Sequence, residues 1–200
     1  MNEFLDQIEI ARYNESKKRY DGSFYIFIRA TAKELDDKTL LKALNLGEFS
    51  FWSQENKPEK DNCGILITET EGWIHIIDNW SYSLWSKLRG LKGLEKLGAK
   101  FDVFYCMAPD LTEGVNFGYF KDGQLLRNYM VEHWVYPNMR VNVGNLPNEA
   151  QIFEKGDHFE GALRYAEENL GIKIYHDPKK ARTYTAFEDL DFSFDEDEVF

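Results

Sequence analysis

Along this chain, stretches in which apolar residues recur every second position alternate with stretches in which they recur at helical spacing, and Gly, Asp and Pro mark the breaks between them. Residues 2–19 are charged, with Phe4, Leu5, Ile8 and Ala11 on one side of a predicted amphipathic helix, and Asp21-Gly22 marks a turn. Residues 24–29 form the first predicted strand. Thr31 with Glu34 three positions on forms a capping box, and Leu35, Leu40, Leu41 and Leu44 give an apolar stripe for a helix running to Gly47. A short strand over residues 49–52 and a polar loop over residues 54–62 follow.

The clearest supersecondary element is a hairpin. Residues 65–70 and 73–79, rich in β-branched and aromatic side chains, flank the two-residue break Glu71-Gly72. A loop of that length pairs Thr70 with Trp73, Thr68 with His75 and Leu66 with Ile77. Ser81 or Ser83 then caps a predicted helix through Leu84, Leu88, Leu91 and Leu94 to Leu97, with Gly98 as its C-terminal glycine. Residues 101–107 read as a strand, and residues 115–120 and 124–133 as a second hairpin around Lys121-Asp122-Gly123, with Trp134 just beyond. Pro147 opens a short helix over 148–154; Asp157 and Glu160 start another over 159–170, which Gly171 closes. Residues 172–175 and 182–187 are predicted edge strands. The expected class is α+β, a largely antiparallel sheet of about six or seven strands with three main helices packed on it.

Composition narrows the class. With 43% apolar and 16% aromatic residues, 200 residues can bury a sizeable core, and no apolar run approaches the ~20 residues of a membrane helix. The first ten residues carry Glu3, Asp6 and Glu9 and lack the pattern of a secretory signal, so the expected location is cytoplasmic. Cys63 and Cys106, each in a predicted strand and far apart in sequence, read as small hydrophobes. Charge is unevenly placed. The last fifteen residues hold seven carboxylates (Glu188, Asp189, Asp191, Asp195, Glu196, Asp197 and Glu198) and no Lys or Arg, interleaved with Phe187, Phe192, Phe194 and Phe200. Without those seven, 28 acids face 24 bases, so a chain of net charge −11 has a body of only −4. The expected organisation is one domain over residues 1–185 and an acidic, aromatic tail over 186–200.

No phosphate-binding loop, dinucleotide fingerprint, nucleophile elbow or zinc-type His/Cys pair is present, so no cofactor and no metal is expected. Nucleic acid is disfavoured as a partner, because Lys17-Lys18-Arg19 is the only basic triplet and a negative body repels phosphates. Two chemical alternatives stay open. One is a hydrolytic site around His75, Asp78 and Trp80, closed by His133; the other is a carbohydrate or small-ligand groove lined by Trp52, Trp73, Trp80, Trp85 and Trp134. Glu69 with Asp78, or Asp102 with Glu113, would supply the two carboxylates that glycosidic chemistry needs. Against catalysis, His75 lies within an apolar strand opposite Thr68, whose hydroxyl can satisfy one ring nitrogen, and strand alternation sends Asp78 to the other face.

The run Gly72-Trp73-Ile74-His75-Ile76-Ile77-Asp78-Asn79-Trp80 with Tyr82, the later Lys121-Asp122-Gly123-Gln124, Gly144-Asn145-Leu146-Pro147-Asn148-Glu149 and Asn169-Leu170-Gly171-Ile172 resemble a pattern of small bacterial proteins, some associated with polymorphic-toxin immunity. The resemblance spans residues 24–175 and implies no catalytic set. It implies instead a bacterial protein of immunity or regulatory type that recognises another protein. Toxin nucleases are commonly basic, and the residues expected to meet such a partner are Glu188, Asp189, Asp191, Phe192, Phe194, Asp195, Glu196, Asp197 and Glu198, by charge steering and aromatic anchoring.

Overall fold

A computed structural model describes residues 11–47, 49–51, 63–78, 92–108, 114–131, 140–154 and 156–186. Among them the strands are β1 (Arg12–Asn14), β2 (Arg19–Asp21), β3 (Phe24–Ile28), β4 (Ser50–Phe51), β5 (Cys63–Thr70), β6 (Trp73–Asp78), β7 (Val103–Met107), β8 (Val115–Lys121), β9 (Gln124–Val131), β10 (Arg140–Gly144) and β11 (Arg182–Ala186). The helices are α1 (Asp37–Ala43), α2 (Lys92–Gly98) and α3 (His158–Leu170). Strands β1 and β2 pair with each other, and the other nine form one sheet in the order β10-β9-β8-β7-β3-β6-β5-β11-β4, antiparallel at every join. The class is α+β, with more strands in the sheet than the six or seven expected.

Both faces of this sheet are covered, which explains why β3 and β7 are apolar at every position and β6 at all but His75 and Asp78. Phe24, Ile26 and Ile28 of β3, with Ile74 and Ile76 of β6, meet Leu40 and Leu41 of α1, Leu44 at its C-cap, and Leu94 and Leu97 of α2. The alternate residues Tyr25 and Phe27 of β3 and Ile77 of β6 meet Ala162, Leu163, Tyr165 and Ala166 of α3, together with Ile172 and Ile174. A two-sided antiparallel sheet thus carries the continuous apolar runs more usual in parallel ones. Full burial of each such side chain favours the fold by ~1.5–3 kcal/mol.

Local rules account for several boundaries. The β5–β6 hairpin has the expected register, Thr70↔Trp73, Thr68↔His75 and Leu66↔Ile77. Its two turn residues both have positive φ, Glu71 at 41° and Gly72 at 86°, as a turn matching the strand twist requires. In α3, the Asp157 side chain accepts the Glu160 N–H, and Gly171 at φ 69° reverses the chain, as the sequence predicts. Half of the Thr31–Glu34 box forms: the Thr31 N–H donates to Glu34 Oε2 over 2.8 Å, whereas the Glu34 N–H bonds the Thr31 carbonyl and not its hydroxyl. It closes only a turn. The helix begins later, where Asp36 accepts the Thr39 N–H.

Other expectations change. Arg12–Asn14 and Arg19–Asp21 pair as strands where a helix over 2–19 was predicted; residues 2–10 of that segment lie outside the described residues. β10 was not predicted, because Arg140–Gly144 has only two apolar residues and sits at the sheet edge. Residues 172–175 alternate buried and exposed like a strand but pair with none among the described residues. β11 is no edge strand, since it lies between β5 and β4. Gly98 serves close packing: a Cβ there would sit 2.6 Å from the Phe120 ring. The helix predicted to start at Ser81 or Ser83 is described only over Lys92–Gly98, and the loop over 54–62 lies outside the described residues.

Candidate functional site

The strongest grouping of titratable side chains is a buried histidine pair. Alternation along β6 turns His75 toward α3, and its burial is complete (0% exposed). The partner, His176 (3% exposed), arrives from 101 residues away on the segment that follows α3. Gly171 turns this segment back along the sheet; the Ile172 N–H bonds the Ala166 carbonyl at 3.1 Å, and the Ile174 N–H bonds Glu167 Oε1 at 3.2 Å. Ile172, Ile174 and His176 therefore point inward while Lys173 and Tyr175 point out.

His75 Nδ1 lies 3.0 Å from His176 Nε2, and His75 Nε2 lies 3.0 Å from Thr70 Oγ1. The Thr70 hydroxyl donates to the Lys173 carbonyl at 2.9 Å, and at the other end the Tyr20 N–H donates to His176 Nδ1 at 2.9 Å. These two ends fix the protons between them. Thr70 has given its hydrogen to Lys173, so toward His75 it can only accept, and His75 Nε2 carries a proton. His176 Nδ1 accepts from a backbone amide and is therefore bare. One proton then lies between the rings, on His176 Nε2, donated to His75 Nδ1. Both rings are neutral Nε2–H tautomers in a chain running one way from Tyr20 to Lys173.

The electrostatics agree. Burial holds His75 well below the ordinary histidine range, and the neighbouring His176 adds to the shift. Burial, with the Arg19 guanidinium next in weight, lowers His176 to about 4. Aromatic contacts pack the pair further: the Phe27 ring meets His75 edge-on at 4.8 Å, and Tyr20 stacks on His176 at 5.8 Å. Nearby, Arg19 bonds Glu160 of α3, and Lys17 bonds the same carboxylate at 3.0 Å.

The hydroxyl facing His75 is thus Thr70, not Thr68 as the sequence suggested. Thr68 is directly opposite His75 in the ladder, yet its buried Oγ1 has no hydrogen-bond partner among the described residues. The imidazole reaches along the strand to the diagonal neighbour, whose hydroxyl the Lys173 carbonyl orients. His75 and Asp78 are not brought together: Asp78 is buried on the opposite face, level with Phe24 and Ile65. Trp80 and His133, the other members of that group, lie outside the described residues. Glu69 and Asp78 project from the same face four residues apart in register, ~13 Å along the strands, beyond the ~9.5 Å span of paired glycosidase carboxylates. Asp102 bonds Arg29 at 3.4 Å, and Glu113 lies outside the described residues. Trp73 is buried beside Arg29, whereas Trp52, Trp85 and Trp134 also lie outside them. Ala186 closes β11 opposite Cys63; Glu188, Asp189, Asp191, Phe192, Phe194, Asp195, Glu196, Asp197 and Glu198 lie outside the described residues. Cys106 is a free, buried thiol whose pKa burial pushes well up, so it is a packing residue.

A second polar centre, at the β9–β10 edge, joins residues 15 to 22 positions apart and leaves no local pattern in the sequence. Arg127 of β9, 2% exposed, forms a two-pronged pair with Glu149, Nε to Oε2 at 2.8 Å and Nη2 to Oε1 at 2.9 Å. Its Nη1 donates to Asn142 Oδ1 at 2.7 Å and to the carbonyls of Val143 and Gly144 at 3.1 and 3.0 Å. The guanidinium also packs over Phe117 and Tyr129. Every polar edge is committed, so it clamps β10 and the 3-10 turn Glu149–Phe153 to the sheet. Among the described residues no group of three or more His, Cys, Asp or Glu is arranged to hold a metal, and no helix is long and apolar enough to cross a membrane. No family model, curated protein or solved structure matches this chain.

Proposed function

We infer that the chain is a non-catalytic binding protein, of bacterial immunity or regulatory type, that recognises a basic protein partner in the cytoplasm. The observation that carries this reading is the saturation of the histidine pair. Acid–base catalysis needs a ring nitrogen within reach of a substrate, and here all four are engaged by one another, by Thr70 and by the Tyr20 amide. The distribution of charge supports the partner's chemistry. Seven carboxylates and four phenylalanines in the last fifteen residues, on a body of net −4, combine long-range attraction for a cation with apolar anchors.

The test is association kinetics with a purified cationic protein encoded by the neighbouring gene, comparing the full chain with one lacking residues 187–200. At low ionic strength the deletion should slow association by about tenfold or more while leaving the unfolding midpoint nearly unchanged, because charge steering acts on encounter and is screened beyond ~8 Å at physiological salt. Equal association rates and equal salt dependence for the two forms would remove the tail from recognition. A fall of many degrees in the midpoint would assign its phenylalanines to the core.

A further inference from the structure

We propose that the His75–His176 pair is an acid-sensitive latch, in which the neutral hydrogen-bond chain fastens residues 172–177 and the β1–β2 hairpin to the sheet and proton uptake by either ring releases them. The argument starts from the count of protons. Between the Tyr20 amide and the Lys173 carbonyl every hydrogen bond has one donor and one acceptor, so no site on either ring accepts another proton without opposing two donors. A proton on His176 Nδ1 confronts the Tyr20 N–H. One on His75 Nδ1 confronts the proton of His176 Nε2. The rings are buried, so water cannot relieve either conflict in place, and the segment must open.

What opens follows from what His176 holds. Its backbone N–H bonds the Lys18 carbonyl at 2.8 Å, its carbonyl accepts the Tyr13 hydroxyl at 3.2 Å, and its ring takes the Tyr20 amide. Among the described residues the β1–β2 pair has no ladder to the large sheet; besides these contacts it is held by the packing of Tyr20 on the core, by the Tyr25 hydroxyl, which donates to the Tyr20 carbonyl, and by the bonds of Lys17 and Arg19 to Glu160. The groups packed around the pair do not favour a charged ring. β2 contributes the Arg19 cation and Tyr20, β1 Tyr13, β5 Thr68 and Thr70, and β3 Phe27 and the Tyr25 phenol, which donates to the Tyr20 carbonyl. Glu160 of α3 and Asp21 are engaged with Arg19; Lys173 and Asp177 are exposed neighbours on the segment itself. The Arg19 cation acts on His176 and opposes its protonation.

Amide hydrogen exchange of the full chain, corrected for intrinsic rates, tests this between about pH 7 and pH 4. Residues 12–21 and 172–177 should lose protection by tenfold or more on acidification while β3, β6 and β7 keep theirs, and His176→Gln should weaken that pH dependence, leaving only the part that His75 carries. Simultaneous loss in all strands, or unchanged protection in the two segments, overturns the latch. If His176→Gln does not fold, nitrogen NMR of the unmodified protein decides. Both rings should be Nε2–H tautomers at neutral pH, with a coupling through the hydrogen bond from His176 Nε2 to His75 Nδ1. An Nδ1–H tautomer on either ring, or ordinary titration near 6.5, overturns it.

Discussion

Replacing Arg127 by Met tests the clamp on β10, because Met keeps an unbranched apolar stem between Phe117 and Tyr129 and removes only the guanidinium. Three consequences can be sized separately. The carbonyls of Val143 and Gly144 lose a donor, but both residues are exposed and water replaces it at little cost. Asn142, also exposed, behaves likewise. Glu149 is different: its side chain is 16% exposed, it loses both prongs of its pair, and it retains only the Leu146 N–H at 3.0 Å. Removing one partner from a buried ion pair costs 3–5 kcal/mol, and the residual exposure of Glu149 places this case at the lower end, about 3 kcal/mol. Urea unfolding of the single variants and of Arg127→Met/Glu149→Gln gives the coupling directly. The double variant should recover at least 1 kcal/mol over the sum of the singles, since neutralising Glu149 removes the stranded charge. Additivity within 0.5 kcal/mol, or a loss below 1 kcal/mol for Arg127→Met, would refute the clamp.

Acid should destabilise the fold through the histidines. His176 has a folded pKa of about 4 against an unfolded value near 6.5, so its stabilising contribution is complete above pH 6.5 and is lost as pH falls toward 4, by about 3 kcal/mol; urea midpoints across that window measure it, and a flat profile contradicts the neutral pair. Glu71→Asn, made in a Tyr175→Phe background that already lacks the 2.9 Å hydroxyl bond to Glu71, should raise stability by about 0.5–1 kcal/mol, because Asn tolerates the left-handed conformation at φ 41° better than Glu; an unchanged or lower thermal midpoint counts against the turn assignment. Gly161→Ala should cost ~1–3 kcal/mol despite the better helix propensity of Ala, because its Cβ would lie 2.1 Å from the Ile152 carbonyl oxygen; a stabilised variant in thermal unfolding rules out that close approach.

The two readings of His75 show where sequence logic reaches and where it stops. The Thr70↔Trp73 register follows from a two-residue turn, and the limits of α3 follow from Asp157 and Gly171, because each depends on atoms within a few residues. The sequence therefore located His75 inside an apolar strand and separated it from Asp78 by simple alternation. It could not supply His176, which is 101 positions away and becomes a neighbour only when α3 packs on the sheet and Gly171 turns the chain back beneath it. The same limit explains Arg127, whose partner Glu149 lies 22 residues distant across a sheet edge. It also explains the strand count. Arg12–Asn14, Arg19–Asp21 and Arg140–Gly144 are short and mostly polar, so only pairing with a neighbour makes them strands, while residues 172–175 have the alternating pattern but no ladder among the described residues. Local geometry and hydrophobic period were thus written in the sequence itself. Which distant polar atoms meet, and which strands find partners, depended on how the layers closed, since a hydrogen bond between buried groups exists only after both have been carried out of water to the same place.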